Sequence, residues 1–498
     1  MSVHWPILRN LLLHPTKEFV ADDFRRYKGY ELLIASLNAR AHIEKATSAK
    51  HVGIMLPTSG LFPIAALGAW SAGRVVVPLN YLLMKDELAY VIADSEIDTI
   101  ITAGPMLDHL GYEPEGVKLV KMDELNFKKL PPVSIPKKAK PEDLATIVYT
   151  SGTSGKPKGV MLSHGAVAAN ARQGGEHMGV KKTDRFLGVL PQFHCYGLTQ
   201  LTITPLTFGV PVTYVARFMP KRLVDRIHEE KATVMVAIPS MLNAIAALKS
   251  GKPEQLASLR LIVSGSEKLP RAVFDKFREK FDKPIREGYG MTEMSPATHC
   301  CIEGDERLGS VGHPLPGVEQ YIAVPGSDEK APPGEPGEIR LKGPNLMTGY
   351  FKLPEETDAV FCPGGYYKTG DQGVIDEDGY LSITGRIKEM MIVGGENVFP
   401  REIEEVVDAH PDVHASGVIG MEDKTRGEVP VVFVELEEGH ELDERSIIAL
   451  CREKLAGYKV PKKVIRLDEL PRNPTGKIMR RKLKPYLERD EALESPAS

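Results

Sequence analysis

The sequence predicts an α/β protein built on parallel sheets, followed by a small antiparallel β unit and a compact α+β unit. Three observations lead there. Strand and helix patterns alternate through the first half, as parallel sheets with crossover helices require. Between Arg307 and Gly385 the texture changes to short strands separated by Pro-Gly, Gly-Glu and Asp-Gly turns. Past Arg386 a strand, a glycine pair and an amphipathic helix follow in close succession. At 498 residues the chain is too long for one ordinary domain.

Taken in order, His51 to Leu56 reads as a buried strand, Gly60 to Ala72 as a helix and Arg74 to Pro78 as a strand. Asp86 to Asp94 reads as a helix and Thr99 to Thr102 as a strand. Pro131 to Pro141, rich in proline and lysine, reads as a surface connection. Ala145 to Tyr149 is a strand that empties into a Gly/Ser/Thr/Lys loop, with another strand from Val160. The alternation returns from Leu223, with strands at Thr233 to Ala237 and Leu259 to Val263. Pro333 to Gly337 and Asp378-Gly379 mark turns of the antiparallel unit. Glu389 to Val393 reads as a strand running into Gly394-Gly395. Pro400 opens a helix with Ile403, Val406 and Val407 on one face, and His410-Pro411 ends it. The charged residues from about Arg489 read as frayed.

Composition narrows the function classes. A net charge of -4 gives no overall basic excess, so the chain is not expected to bind nucleic acid. The five cysteines (Cys195, Cys300, Cys301, Cys362, Cys451) form no C-x-x-C pair, which argues against a structural metal or a disulfide framework. The longest apolar run, Leu61 to Gly73, is too short to span a bilayer, and the N-terminal apolar stretch is broken by Arg9 and Asn10. These features lead us to expect a cytoplasmic protein without a transmembrane segment, with peripheral membrane contact left open.

The chemistry lies in a handful of short segments. Tyr149 to Val160 joins glycines, hydroxyls and lysines between two strands. Backbone N–H groups can turn onto an anion there, while hydroxyls and lysines meet phosphate oxygens. It is not the G-x-x-x-x-G-K-[ST] loop, because a strand rather than a helix follows. A plain Gly/Ser turn is the alternative. Glu287 to Glu293 places Tyr289 between two glycines, ahead of Thr292 and Glu293. That ring suits a purine face, the hydroxyl an oxygen ligand, and the carboxylate Mg²⁺. A capped turn with a solvated Glu293 is the alternative. Asp371, after a glycine turn, suits ribose hydroxyls, and Arg386 suits ribose or phosphate oxygens; a plain turn residue is the alternative for Asp371. Pro471 to Lys477 carries one lysine on a stiff Pro/Gly loop, with an ordinary surface lysine as the alternative.

Together these segments resemble the adenylate-forming superfamily of acyl-CoA synthetases, firefly luciferase and peptide-synthetase adenylation domains. The resemblance spans about residues 29 to 485. Six motifs stand in the family's order: the loop at 150–159, Pro191 to Gly197, Gly288 to Glu293, Thr369 to Asp371, Gly385 to Val398, and Pro474 to Lys477. It implies a large N-terminal AMP-binding domain over 1–385, of parallel α/β subdomains plus a small β-barrel. A small mobile α+β domain over 386–498 would follow, hinged at Lys388.

By the same resemblance, Thr150, Ser151, Gly152, Thr153, Ser154, Gly155, Lys156 and Lys158 orient the phosphates of ATP. Thr150 and Glu293 stand near Mg²⁺. Ser264, Gly265, Ser266, Glu287, Gly288, Tyr289, Gly290, Met291 and Thr292 wrap the nucleotide. Asp371 and Arg386 take the ribose. Lys477 bridges the substrate carboxylate and the α-phosphate. His194 neighbours the acyl pocket, with a purely structural histidine as the alternative. The C-terminal domain swings after adenylation, withdrawing Lys477 and bringing Gly394 and Gly395 to the pantetheine arm of coenzyme A.

The resemblance implies ATP, Mg²⁺ and coenzyme A as cofactor and co-substrates. The apolar stretch Phe193 to Phe208 lacks the aspartate that anchors an amino group, so a medium- or long-chain fatty acid is the expected acid. Gly265 to Leu269 departs from many relatives and resembles acyl-ACP synthetases, so acyl carrier protein is the alternative acceptor. A stand-alone adenylation domain and a nucleotide-gated pseudoenzyme are the other readings. Pro471 to Lys477 also resembles a target of lysine acetyltransferases.

Overall fold

A computed structural model describes residues 2–127, 129–132, 135–151, 156–304, 306–423, 425–472 and 476–494. The chain folds as a mixed α/β protein in two compact units. The first comprises residues 1–266, 276–320 and 341–367; the second comprises residues 267–275, 321–340 and 368–498. No helix among the described residues is long and apolar enough to cross a membrane.

The first unit holds a nine-stranded and a seven-stranded sheet. In the nine-stranded sheet, Arg286–Gly290, Leu261–Ser264, Val234–Ala237, Phe186–Gly188, Val212–Tyr214 and Glu18–Ala21 run parallel. Antiparallel strands, Ala297–Cys300 with His313–Pro314 at one side and Arg26–Lys28 at the other, complete it. In the seven-stranded sheet, Leu144–Ser151, Val75–Pro78, His51–Ile54, Thr99–Thr102 and Lys118–Lys121 are parallel. Pro157–Ser163 and Gly349–Tyr350 join its edge antiparallel.

Central parallel strands such as Val75–Pro78 and Val234–Ala237 are apolar runs because both their faces are covered. His51–Ile54, Val75–Pro78 and Thr99–Thr102 are buried at every position. The helix Leu61–Ser71 is buried from Phe62 onward, which explains a sequence with no polar face. Its Trp70 donates from Nε1 to the Ala145 carbonyl at 2.9 Å, pinning the helix to the strand that leads into the Gly/Ser/Thr/Lys loop. At the far end of that hairpin, Ser163 caps the helix His164–His177 by accepting from the Ala166 N–H at 3.1 Å.

Glu319–Ala323, Gly337–Lys342, Phe361–Cys362, Tyr366–Ile375 and Leu381–Arg386 make a five-stranded sheet where the sequence signalled turns and short strands. In the second unit, Glu396–Val398, Met391–Val393, Gly427–Leu436 and Val413–Asp423 pair antiparallel, and Lys463–Arg466 adds a parallel strand. The helices Pro400–Val407 and Glu444–Lys454 pack Ile403, Val407, Ile447 and Cys451 against Val418, Val432 and Val434 of that sheet.

Three local expectations need correction. The strand expected from Glu389 begins at Met391, because Ile387–Glu389 is a 3₁₀ turn. The strands flanking the Gly/Ser/Thr/Lys loop run further toward it, through Ser151 and from Pro157. Arg489 to Glu494 belong to a helix, Lys484–Glu494. Leu483 just before it and Leu487 within it bury against Phe433 and Leu470, an i, i+4 apolar pair hidden among charges.

Candidate active site

In the first unit, the strands Leu144–Ser151 and Pro157–Ser163 form a hairpin with Thr150 opposite Lys158. Gly152, Thr153, Ser154 and Gly155, expected to meet phosphate, lie outside the described residues, as does the side chain of Ser151. The hairpin stem is fixed at Tyr149, whose hydroxyl donates to Asp94 Oδ2 at 2.5 Å. Lys156 stands 5.5 Å over the Tyr90 ring. Lys158 pairs with Glu356 and stands 5.4 Å over the Tyr350 ring.

Tyr350 connects this stem to the second expected motif. Its hydroxyl donates to Glu293 Oε1 at 2.9 Å and lies 3.4 Å from the Tyr367 hydroxyl. Burial, then the Glu293 charge, pushes both phenols above their ordinary range, so they remain protonated donors. Glu293 is half-buried on the 3₁₀ turn Thr292–Met294, where Thr292 is buried. Among the described residues no three His, Cys, Asp or Glu side chains gather as a metal cage. A single carboxylate such as Glu293 fits Mg²⁺, which commonly takes one or two protein oxygens and completes its shell with phosphate and water.

Tyr289 ends the strand Arg286–Gly290 half-exposed, with Gly288 and Gly290 beside it. Its ring lies 5.9 Å from that of His299, and Thr298 Oγ1 donates to its carbonyl at 3.0 Å. Glu287 is buried, and its Oε1 accepts from the Gly309 N–H at 2.8 Å. Its carboxylate therefore anchors the segment before Ser310. Met291 is half-buried and packs on the main core.

His194 caps a short helix, its Nδ1 accepting from the Tyr196 N–H at 3.3 Å. Burial lowers its pKa to about 4, so the ring is neutral at pH 7. Phe193 beside it meets the Tyr81 ring edge-on at 5.0 Å. Tyr196 presses on Gly265: a Cβ added there would lie 2.6 Å from the phenol oxygen. Gly265 is thus needed for close approach rather than for its dihedrals. Ser266 next to it is exposed and left-handed, at φ 76°.

The second unit carries the rest. Asp371 and Arg386 face each other across the strands Tyr366–Ile375 and Leu381–Arg386, with Nε 2.9 Å from Oδ1. Asp371 is buried, while the Arg386 side chain is 54% exposed. Thr369 Oγ1 accepts from the Asp371 N–H at 3.1 Å and donates to the Ile339 carbonyl at 2.8 Å. Lys388 is exposed on its 3₁₀ turn. Gly394 and Gly395, at φ 62° and 91°, form the two-residue turn between Met391–Val393 and Glu396–Val398. Two successive positive φ values are the hairpin geometry that favours Gly-Gly.

Lys477 is half-buried after Gly476. Its pKa is lowered, first by burial and then by Arg386, against the opposing pull of Glu267, Glu389 and Asp371. Three residues on, Arg480 forks onto both Glu404 oxygens at 2.8 and 2.6 Å and reaches Glu389 Oε2 at 2.5 Å. The structure thus groups Lys477 with Asp371 and Arg386 in this unit, and Lys158 with Glu293 in the other. Sequence reasoning missed Tyr350, Glu356, Glu404 and Arg480. None sits within a glycine-rich signature, and each gains its role from a distant partner.

Comparison with known proteins gives this arrangement its class. The profile of the AMP-binding enzyme family matches residues 9–351, and that of the AMP-binding enzyme C-terminal domain matches residues 402–477. A long-chain-fatty-acid–CoA ligase of Bacillus subtilis is 33% identical over 94% of this chain and 91% of its own length. A 2-succinylbenzoate–CoA ligase of Geobacillus kaustophilus is 39% identical over 70% of this chain and 71% of its own. The o-succinylbenzoate–CoA synthetase of Bacillus subtilis, solved with its acyl-adenylate intermediate, superposes with a TM-score of 0.86. It is 30% identical and covers 96% of this chain and 97% of its own. The chain belongs to the AMP-binding enzyme family, as an acid–thiol ligase of the AMP-forming kind. Ligases of this kind use ATP, Mg²⁺ and coenzyme A.

Proposed function

We propose that this ligase joins an apolar carboxylic acid, in the first place a medium- or long-chain fatty acid, to coenzyme A through an acyl-adenylate. The observation that carries the reading is the half-buried Lys477 beside the Asp371–Arg386 pair. A cation in that setting suits the meeting of two anions, the substrate carboxylate and the α-phosphate of ATP.

In the first half-reaction a carboxylate oxygen attacks the α-phosphorus, and the bond to the β-phosphate bridge breaks as pyrophosphate leaves. Lys477 offsets the repulsion between the approaching charges. Asp371 and Arg386 hold the ribose, and Tyr289 stacks on the adenine. Lys156, Lys158 and the loop 150–155 orient the outer phosphates, and His194 borders the acid. Thr292 contributes its hydroxyl. Glu293 and Thr150 would hold Mg²⁺, which would supply charge neutralisation on the phosphate oxygens. Orientation and electrostatics carry the step, with little side-chain proton transfer. In the second half the thiolate attacks the acyl carbonyl, AMP leaves with the former carboxylate oxygen, and the thiol proton passes to solvent. A domain of residues 386–498 turns about Lys388 between the halves, withdrawing Lys477 and presenting the Gly394–Gly395 turn to the pantetheine arm.

A second reading of the acid has its own observation. That reading is a short aromatic acid in place of a long chain. The similarity to 2-succinylbenzoate–CoA ligases supports it. A panel of C6 to C18 fatty acids, 2-succinylbenzoate and ferulate, each with coenzyme A and with holo acyl carrier protein, separates these readings by AMP and pyrophosphate release. Release with none of them overturns the proposal for these acids, and turnover with the carrier protein alone reassigns the acceptor. Lys477→Ala is expected to abolish adenylation while sparing thioester formation from supplied acyl-adenylate; equal loss of both defeats the domain rotation. Acetylation of Lys477 would remove the same charge, and unchanged adenylation after complete acetylation refutes that regulation.

A further inference from the structure

The segment Gly265 to Leu269, unusual in sequence, is tied to charged groups of the C-terminal part. Lys268 Nζ lies 2.5 Å from Glu405 Oε1, on the helix Pro400–Val407. Arg401 Nε reaches the same carboxylate oxygen at 3.3 Å. One residue earlier, Glu267 lies in the field of Lys477, Arg401, Arg472 and Arg480. Acidic and basic groups of the two segments therefore interleave beside Lys477.

The covalent connections decide what this contact does. Lys268 follows directly on the strand Leu261–Ser264 through Gly265 and Ser266, and leads into the helix Arg271–Phe281. Glu405, Arg401 and Lys477 all lie beyond Lys388 in the chain. If the part beyond Lys388 turns between half-reactions, the strand and helix that carry Lys268 stay behind, and Lys268 must part from Glu405. The pair then exists in the arrangement that groups Lys477 with Glu267, and not after the turn.

We propose that Lys268 and Glu405 are positioning residues for adenylation: their ion pair holds the Lys477 loop in its adenylating place and is released for the thioester step. The proposal rests on the two-step reading above. The side chains are 25% and 45% exposed, so solvent screens the pair and keeps it weak enough to break in every cycle. An ion pair of this exposure biases an equilibrium by about two- to fivefold.

The test is a double-mutant cycle on the full chain with Lys268→Met, Glu405→Gln and the double variant. Adenylation is read as acid-dependent ATP–pyrophosphate exchange, using whichever acid of the panel the wild-type protein turns over. Thioester formation is read from the matching supplied acyl-adenylate and coenzyme A. Each single variant is expected to lower adenylation kcat/KM about two- to fivefold. The double variant is expected to be no worse than either single one, with thioester formation unchanged or faster. Additive losses, equal losses in both half-reactions, or no loss of adenylation overturns the proposal. Wild-type protein that exchanges pyrophosphate with no acid tells against the two-step reading instead, so the two failures are distinguishable.

Discussion

Replacing Arg480 with methionine keeps an unbranched apolar stem and removes the charge. In the structure that guanidinium makes three charge-assisted bonds of 2.5 to 2.8 Å, two to Glu404 and one to Glu389. The Glu404 side chain is only 10% exposed and that of Arg480 19%. Removing one partner of such a pair leaves a carboxylate short of solvent and short of donors, a loss of about 3–5 kcal/mol when burial is complete. Glu404 keeps one donor, the Val418 N–H at 2.8 Å, and Glu389 is 34% exposed. Those two facts reduce the expected loss to about 2–4 kcal/mol. Hydrogen exchange by mass spectrometry reads it locally, without assuming that a chain of two units unfolds in one step. Peptides covering Pro400–Val407 and Val413–Asp423 are expected to lose protection by roughly thirty- to several-hundredfold, and Arg480→Lys by about the square root of that. A loss below threefold in Arg480→Met would refute the anchoring role. Because Lys477 stands three residues before Arg480, adenylation is expected to fall in step with protection.

Further outcomes follow from the same geometry. Burial and Arg386 lower the Lys477 pKa from 10.5, so its charge is present below that lowered value and lost above it. The adenylation rate is expected to fall at a pH below 10.5, and thioester formation from supplied acyl-adenylate not to fall with it; pH profiles that decline together would defeat this. His299 is buried with its pKa lowered from 6.5 to about 4. The folded state favours the neutral ring, so stability is full above pH 6.5 and falls by about 3 kcal/mol as the pH drops from 6.5 to 4. Urea midpoints at pH 7.5 and 5 should differ less in His299→Gln than in the wild-type protein. Gly265→Ala puts a methyl 2.6 Å from the Tyr196 hydroxyl and is expected to lower stability by about 1–3 kcal/mol. Tyr196→Phe removes that oxygen and should restore part of the loss in the thermal midpoint; no restoration would place the strain elsewhere.

Much of the fold was legible because its signals are local. A parallel strand covered on both faces must be apolar throughout, and Val75–Pro78 and Val234–Ala237 read that way. The Gly394–Gly395 pair, read in the sequence only as the end of a strand, forms a two-residue turn with two successive positive φ values. The end of the C-terminal helix was read as frayed because the stretch is dominated by charge, and Phe433, against which Leu483 and Leu487 bury, lies far away in the chain. At the site, Asp371 and Arg386 were legible through their motifs, while their pairing required the register of two strands.

The sequence by itself determined the family and the kit of hydroxyls, lysines, carboxylates and glycines, because each motif is a short run whose chemistry resides in its own residues. It could not determine which charges answer one another. Tyr350 meets Glu293 across 57 positions, and Lys268 meets Glu405 across 137. Pairs at such separations leave no periodicity to read. Their geometry is set by how strands and helices pack, and packing also decides how far water is excluded from Lys477, and with it the strength of the charge at the site.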